Sequence, residues 1–347
     1  MMRAVIMRGG EISTEDVTEP TPGPGQVLIA PHATGICGSD LHAREVLTEL
    51  AAADPHTPPM TIIPGHEFAG HVVAIGPDTA ADLDVGDLVT SIPFTPGPAG
   101  PETIGLSPTF GGGLAELTVA DATRTFRLPD GVDARLGALS EPVAVAVHAY
   151  NLAAADGPVV IIGAGPIGQG IIAVASANGR HPIIVVEPAP QRRAAALRVG
   201  ADTAHEPGVP LLELLAAVGY TPSTMSPLLD GEPHSVTIFE CVGRANVVQS
   251  ILAEAPPHSR IVLAGACHAP VEINPLQLTT AEVSVTASFA YRPAEFHTAM
   301  RYLHQQPDLF GQFITSEHSL DRTADAFDAL ATNPDEVKVL INPAVTA

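Results

Sequence analysis

The chain has 347 residues, 46% of them hydrophobic, with 34 Pro and 31 Gly, a composition that folds and a length that accommodates two domains. Its 16 basic residues against 38 acidic ones give a net charge of −22, which excludes a continuous basic footprint for nucleic acid or for an anionic membrane surface. The three cysteines, Cys37, Cys241 and Cys267, are odd in number and far apart, which argues against a disulfide framework and for a reducing compartment. No stretch reaches the roughly 18–20 uninterrupted apolar residues of a membrane span, and a cytoplasmic protein is expected.

From Arg3 to about Val132, short apolar runs such as VLIA, HVVAI, DLVTSI and LAELTV alternate with Gly, Pro and Asp clusters, the pattern of a β-rich domain with many turns. Between Ala134 and Ala155 the sequence ARLGALSEPVAVAVHAYNLAAA turns to Ala and Leu at helical spacing, a helical connector. Strand GPVVIIG, helix PIGQGIIAVASANG, strand PIIVVE and helix PQRRAAALRVGA follow, and later strands SVTIFE and RIVLAG with a helix between them. This alternation predicts a parallel, doubly wound sheet, hence an α/β protein. The segment from Glu206 to His234 reads as a short helix and a Pro/Ser-rich surface connection. After Val283 come a strand VSVTASF, two helices around Ala294–His304 and Arg322–Ala331, and a last strand VKVLI. The expected division is 1–148, 149–288 and a carboxy-terminal return at 289–347. Lys338, the only lysine, reads as a solvated surface residue.

Gly163-Ala-Gly165-Pro166-Ile167-Gly168 follows an apolar strand directly and opens a helix, the context that makes GxGxxG informative. Gly163 permits a tight turn, Gly165 removes a side chain where backbone approaches a pyrophosphate, and Gly168 lets helix pack on strand. The helix amino terminus then offers N–H groups to phosphate. Glu187 ends the next strand about 20 residues after the turn, where a carboxylate accepts from both adenosine ribose hydroxyls and favours NAD over NADP. Arg192 and Arg193 on the following helix are the opposing observation, since they would face a 2′-phosphate if Glu187 turned away.

The β-rich part carries a second constellation: Cys37-Gly-Ser39-Asp40-Leu-His42, then Pro64-Gly65-His66-Glu67, then Glu141 in SEPVAVAVHA. One thiolate, one imidazole and carboxylates suit a catalytic zinc, which accepts mixed S, N and O ligands and keeps a position open for substrate. Cys37 sits at a turn into a helix, where N–H groups favour the thiolate. His66 and Glu67 are adjacent, and both reach one metal only if Pro64-Gly65 bends the chain. Glu67 and Glu141 are therefore each open as direct ligands or as groups acting from one layer further out. Cys241 and Cys267 read as small apolar residues.

With these residues in hand, the chain resembles the medium-chain, zinc-dependent alcohol and polyol dehydrogenases. GICGSDLH, GHEFAG, GDLV, SEPVAVAVHA, GAGPIG, Glu187 and ECVG match in order over nearly the whole length. The resemblance implies a GroES-like catalytic domain split in sequence around a Rossmann domain. It also implies Cys37, His66 and a carboxylate as zinc holders, with Ser39 and His42 carrying the alcohol proton to solvent, and hydride passing from a secondary alcohol, diol or polyol to NAD. Many members hold a second, structural zinc on four closely spaced cysteines after the strand matching DLVTSI. Here that region reads PFTPGPAGPETIGLSPTFGGG, without cysteine, so one catalytic zinc per chain is expected. The segment AREVLTELAAADPHTPPMTII after His42 and the phenylalanines Phe94, Phe110 and Phe289 suggest an apolar pocket wall for a secondary alcohol or ketone of moderate size, and a homodimer or homotetramer is expected. Two rivals are a zinc-free reductase of activated double bonds on the same fold, which the Cys37, His66, Glu67 set opposes, and a non-redox NAD-binding or cyclase descendant, which Ser39 and His42 oppose.

Overall fold

The short apolar runs of the amino-terminal part become strands in a computed structural model of the chain, which describes residues 1–80, 82–97, 100–154, 156–222 and 235–344. In order come β1 (Met2–Arg8), β2 (Glu11–Val17), β3 (Gln26–Gly35), helix α1 (Gly38–Ala53), β4 (Thr61–Ile62), β5 (Glu67–Ile75), β6 (Leu88–Ser91), β7 (Phe94–Gly97), β8 (Gly100–Thr103), β9 (Thr118–Asp121) and β10 (Thr125–Arg127). The connector holds α2 (Ala134–Gly137) and α3 (Ser140–Asn151).

The next stretch alternates β11 (Val159–Ile162), α4 (Pro166–Ala177), β12 (Ile183–Val186), α5 (Pro190–Arg198), β13 (Thr203–His205), α6 (Leu211–Ala217), β14 (Thr237–Glu240), α7 (Ala245–Glu254), β15 (Arg260–Leu263), α8 (Pro275–Ala281) and β16 (Ser284–Ala287). The chain ends with α9 (Pro293–Gln305), α10 (Pro307–Gly311), β17 (Ile314–Ser319), α11 (Thr323–Thr332) and β18 (Lys338–Asn342). The Pro/Ser-rich part of the 206–234 connection lies outside the described residues.

The described residues separate into two compact units, 1–141 with 299–347, and 142–298. In the first, a seven-stranded sheet runs β10-β6-β5-β3-β18-β17 with β9 also on β3, beside a three-stranded sheet β2-β1-β4 and the hairpin β7-β8. The carboxy-terminal return is therefore structural: β18 pairs antiparallel with β3, Leu340 opposite Gly35 and Ile341 opposite Thr34. Val5, Met7, Ile36, Leu114, Phe327 and Ile341 pack one core from both ends of the sequence. The second unit is a six-stranded parallel sheet in the order β13-β12-β11-β14-β15-β16. Its order reverses beside β11, where doubly wound folds bind dinucleotides. No helix among the described residues is long and apolar enough to cross a membrane.

The three phenylalanines expected in a pocket wall have different surroundings. Phe110 packs against the core cluster that includes Phe68 and Ile104, Phe94 lies on β7, and Phe289 is 87% exposed.

Candidate metal centre and nucleotide crevice

The metal-ligating residues converge because two chain reversals end side by side. β3 runs through Gly35 into Cys37, the residue at which α1 begins, and its last ladder partner, opposite Gly35, is Glu67, the first residue of β5. Pro64-Gly65 supplies the bend that sets His66 beside Glu67. Gly65 has φ of +100° and a side chain there would press on Thr34 and the Leu114 backbone, so only glycine fits. The bend is pinned by Gly113 and Leu114 N–H groups donating to the carbonyls of Gly65 and Pro64.

The ligand-capable atoms of Cys37, His66 and Glu67 all lie within 4.8 Å of one another, with His66 and Glu67 buried and Cys37 half-buried. Glu141, in the first turn of α3, is outside that group. A sulfur, an imidazole and a carboxylate brought this close are a set that could hold a metal ion, and mixed S, N and O donors suit zinc. His66 Nδ1 faces Asp40 Oδ1 at 3.4 Å and Nε2 lies 3.2 Å from Ser39 Oγ. Burial opposes a charge on His66, but Asp40 and Cys37 beside it hold its pKa well above the usual histidine value. His42 is about half exposed and has Glu45 at 3.6 Å.

Two residues of this centre escape the sequence reading. Asp40 is fully buried and accepts the Cys37 N–H at 2.8 Å through Oδ2. Its signal was available, since an acid three residues after a helix start is the reciprocal half of a capping box. Lys338 is the larger correction: it is 2% exposed, not solvated. Its Nζ donates to both Glu67 oxygens, at 2.7 and 2.6 Å, and to the Ile36 carbonyl at 3.3 Å. As the first residue of β18 it lies inside the sheet next to β3, where a lysine is tolerated only when paired. Burial disfavours its charge, but Glu67, then Cys37 and Glu141, hold its pKa above the usual lysine value.

In the parallel unit, Gly163 has φ of +97°, and a side chain on Gly168 would collide with the Gly163 carbonyl, so the turn and the helix close directly on the strand. Gly165 caps α4, Pro166 and Ile167 open it, and nothing lies within 4 Å of a side chain built at Gly165. Glu187 is 4% exposed, its Oε2 accepting from Ala164 N–H at 2.8 Å and its Oε1 from Ala189 N–H at 2.9 Å. Arg193 donates to the Glu187 and Pro188 carbonyls and pairs with Glu206 at 2.8 Å, while Arg192 is half-buried on α5. A cavity of about 400 Å³, lined by Gly163, Val186, Pro188, Val242 and Arg244 among others, opens at the carboxyl ends of β11, β12 and β14. Burial and the adjacent Glu240 push the Cys241 thiol far up, out of reach of ionisation, which fits a small apolar residue and not a nucleophile.

Comparison with known proteins agrees with both halves. Residues 23–130 match the alcohol dehydrogenase GroES-like domain and residues 166–305 the zinc-binding dehydrogenase domain. The chain is 29% identical to sorbitol dehydrogenase of Halalkalibacterium halodurans, with 96% of each chain covered. It is also 29% identical to (R,R)-butanediol dehydrogenase of Bacillus subtilis, covering 96% of this chain and 97% of that one. The crystal structure of 2R,3R-butanediol dehydrogenase from Bacillus subtilis superposes with a TM-score of 0.83 at 26% identity, covering 99% of this chain and all of the other. A split GroES-like domain, a doubly wound dinucleotide domain and a Cys, His, Glu centre together place the chain in the medium-chain, zinc-dependent alcohol and polyol dehydrogenase family.

Proposed function

We propose that the protein oxidises a secondary alcohol, diol or polyol to its ketone with NAD, and reduces the ketone in reverse, using one zinc held by Cys37, His66 and Glu67. The observation that carries this reading is the convergence of those three donors within 4.8 Å in a buried setting. When bound, zinc supplies a Lewis acid for the substrate oxygen and the nicotinamide supplies the hydride acceptor.

The protein's own residues then have distinct tasks. Asp40 Oδ1 faces His66 Nδ1 at 3.4 Å and holds a negative charge beside it, leaving Nε2 as the ligating nitrogen. A carboxylate offers about four lone-pair sites, of which Lys338 takes two, so Glu67 can be held by Lys338 and still face the ion. Glu141 adds negative charge near Lys338 without joining the ligand set. Ser39 Oγ would accept the substrate hydroxyl proton while handing its own hydroxyl proton on through the cofactor's ribose hydroxyls to His42, which is open to solvent and releases a proton to water. No cysteine lies between Cys37 and Cys241, so a four-thiolate structural site has no ligands and one zinc is held tightly per chain. The direct test is metal content per chain together with NAD reduction on 2,3-butanediol, sorbitol and 2-propanol. One zinc and turnover of at least one of them is expected, whereas turnover in protein stripped of all metal would overturn the zinc assignment.

NAD is the cofactor because the Glu187 carboxylate is fixed at the end of β12 by two backbone N–H groups and would repel a 2′-phosphate. NADH is expected to bind at least about tenfold more tightly than NADPH, a difference of about 1.4 kcal/mol. Glu187→Ala is expected to shrink that ratio by weakening NADH, and fluorescence titration of both cofactors reads it. Equal binding of the two by the native protein would remove Glu187 from this role.

The working form is a homo-oligomer built on β16. Among the described residues this strand pairs only with β15, while Val285 on it and Phe289 just after it are exposed. Ser284 and Ser288 donate inward to Ser259 and Leu263, so by alternation the Val285 N–H points to the open edge. Val285→Pro is expected to shift the light-scattering mass toward monomer, and an unchanged mass would place the interface elsewhere.

A further inference from the structure

Away from the Cys37 cluster, the β3–β5 ladder carries another pair of ligating side chains. Ala30 stands opposite His71 and Pro31 opposite Gly70, but the next residue of β3 with a partner is Ala33, opposite Ala69. His32 is therefore the extra residue of a β-bulge, a feature that re-aims the side chain where the ladder is interrupted. His32 Nε2 lies 3.2 Å from His71 Nδ1, and the rings meet edge-on with centroids 4.7 Å apart and planes at 69°. His32 is exposed and His71 half-buried, so water and ions reach both.

Two nitrogens each about 2.0–2.1 Å from one zinc ion at a tetrahedral angle stand about 3.3–3.4 Å apart. The observed spacing is close to that of two adjacent ligands on one ion. We propose that His32 and His71 form an exchangeable surface site for one divalent transition-metal ion of the zinc class, with water completing its shell. Imidazole suits such ions, and partial desolvation of the ring together with the neighbouring His71 holds the His32 pKa below the usual histidine value, keeping its lone pair available. In the metal-free pair, one facing nitrogen donates its hydrogen to the other. On binding, that ring takes its other tautomer, the proton moving through solvent from the facing nitrogen to the opposite one, so both facing lone pairs are free and no net proton is released. The net charge of −22 raises the local concentration of cations.

The location gives the site a consequence. β3 continues through Gly35 to Cys37, and β5 begins at Glu67 opposite Gly35, so an ion bridging His32 and His71 ties together the two strands that carry the buried cluster. Binding only to the folded ladder stabilises it by mass action. This inference does not depend on the dehydrogenase reading.

The test uses the full chain with its tightly held zinc, dialysed and then titrated with Zn²⁺ by calorimetry, with thermal unfolding followed in parallel. The expected result is one further equivalent bound and a raised midpoint of unfolding. His32→Ala and His71→Ala are each expected to weaken that second event at least about tenfold, about 1.4 kcal/mol, while Cys37→Ser leaves it intact. Histidine proton resonances of the unsubstituted protein give an independent readout, with His32 and His71 shifting together on Zn²⁺ addition. No second equivalent, an undiminished second event in both histidine variants, or shifts confined to other histidines would each overturn the site.

Discussion

Replacing Lys338 with methionine is expected to lower the stability of the unit formed by 1–141 and 299–347 by about 3–5 kcal/mol, the range for removing one partner of a buried ion pair. Glu67 is fully buried and Lys338 nearly so, and the ammonium meets both carboxylate oxygens. Without it, in metal-free protein, a desolvated carboxylate loses the counter-charge that both of its oxygens face. The loss should be largely recovered in Lys338→Met with Glu67→Gln, because a neutral amide is far less demanding in a dry site than an unpaired charge. Urea unfolding of the metal-free native protein and of both single variants and the double variant, also metal-free, closes the cycle, because Glu67 is a proposed zinc ligand as well. A coupling below about 0.5 kcal/mol, the usual additivity error, would show that the pair does not hold Glu67 in place. The sign with pH follows from the direction of the shift: Lys338 has its pKa raised on folding, so its contribution is fully present below about pH 10.4, the unfolded value, and is lost as pH rises through the folded value. Lys338→Met should lack that alkaline loss.

Lys338 also marks where the sequence stops being readable. The glycine turn, its strand and its helix are contiguous in sequence, so GAGPIG and Glu187 mark the candidate nucleotide crevice locally, and the parallel order follows from the alternation of elements. The Cys37, His66 and Glu67 group is only half local: His66 and Glu67 are neighbours, but their meeting with Cys37 depends on the register that sets Gly35 opposite Glu67. A likeness in residue types could suggest that register, whereas periodicity could not. Lys338 is the extreme case, because it reaches Glu67 only when the last strand returns to pair with β3, a contact across 271 positions. A lone lysine between two valines near the chain end has no local feature that distinguishes a buried partner from a solvated one. Phe289 shows the same limit from the other side: it follows the edge strand β16 and is 87% exposed, and no local pattern tells an exposed aromatic residue from a buried one.

Cys37→Ser is expected to abolish tight zinc retention and to reduce kcat/KM for any accepted alcohol by at least about 10³-fold, about 4 kcal/mol of transition-state stabilisation, while leaving the fold unharmed. The two effects separate because Cys37 has two roles that depend on different atoms. Its backbone opens α1, with its N–H donated to Asp40, and serine is a preferred residue at that position. Its sulfur is the soft donor of the cluster, and a serine hydroxyl, far harder to deprotonate and a harder ligand, does not replace a thiolate on zinc. The metal-free variant should therefore unfold at the same urea concentration as metal-free native protein, or slightly higher. NADH should also bind it unchanged, since Gly163, Gly165, Gly168 and Glu187 belong to the other unit. Elemental analysis, urea unfolding and NADH titration on one preparation separate the cases. Zinc retained with activity intact would remove Cys37 from the ligand set, whereas zinc lost with activity intact would remove zinc from the reaction.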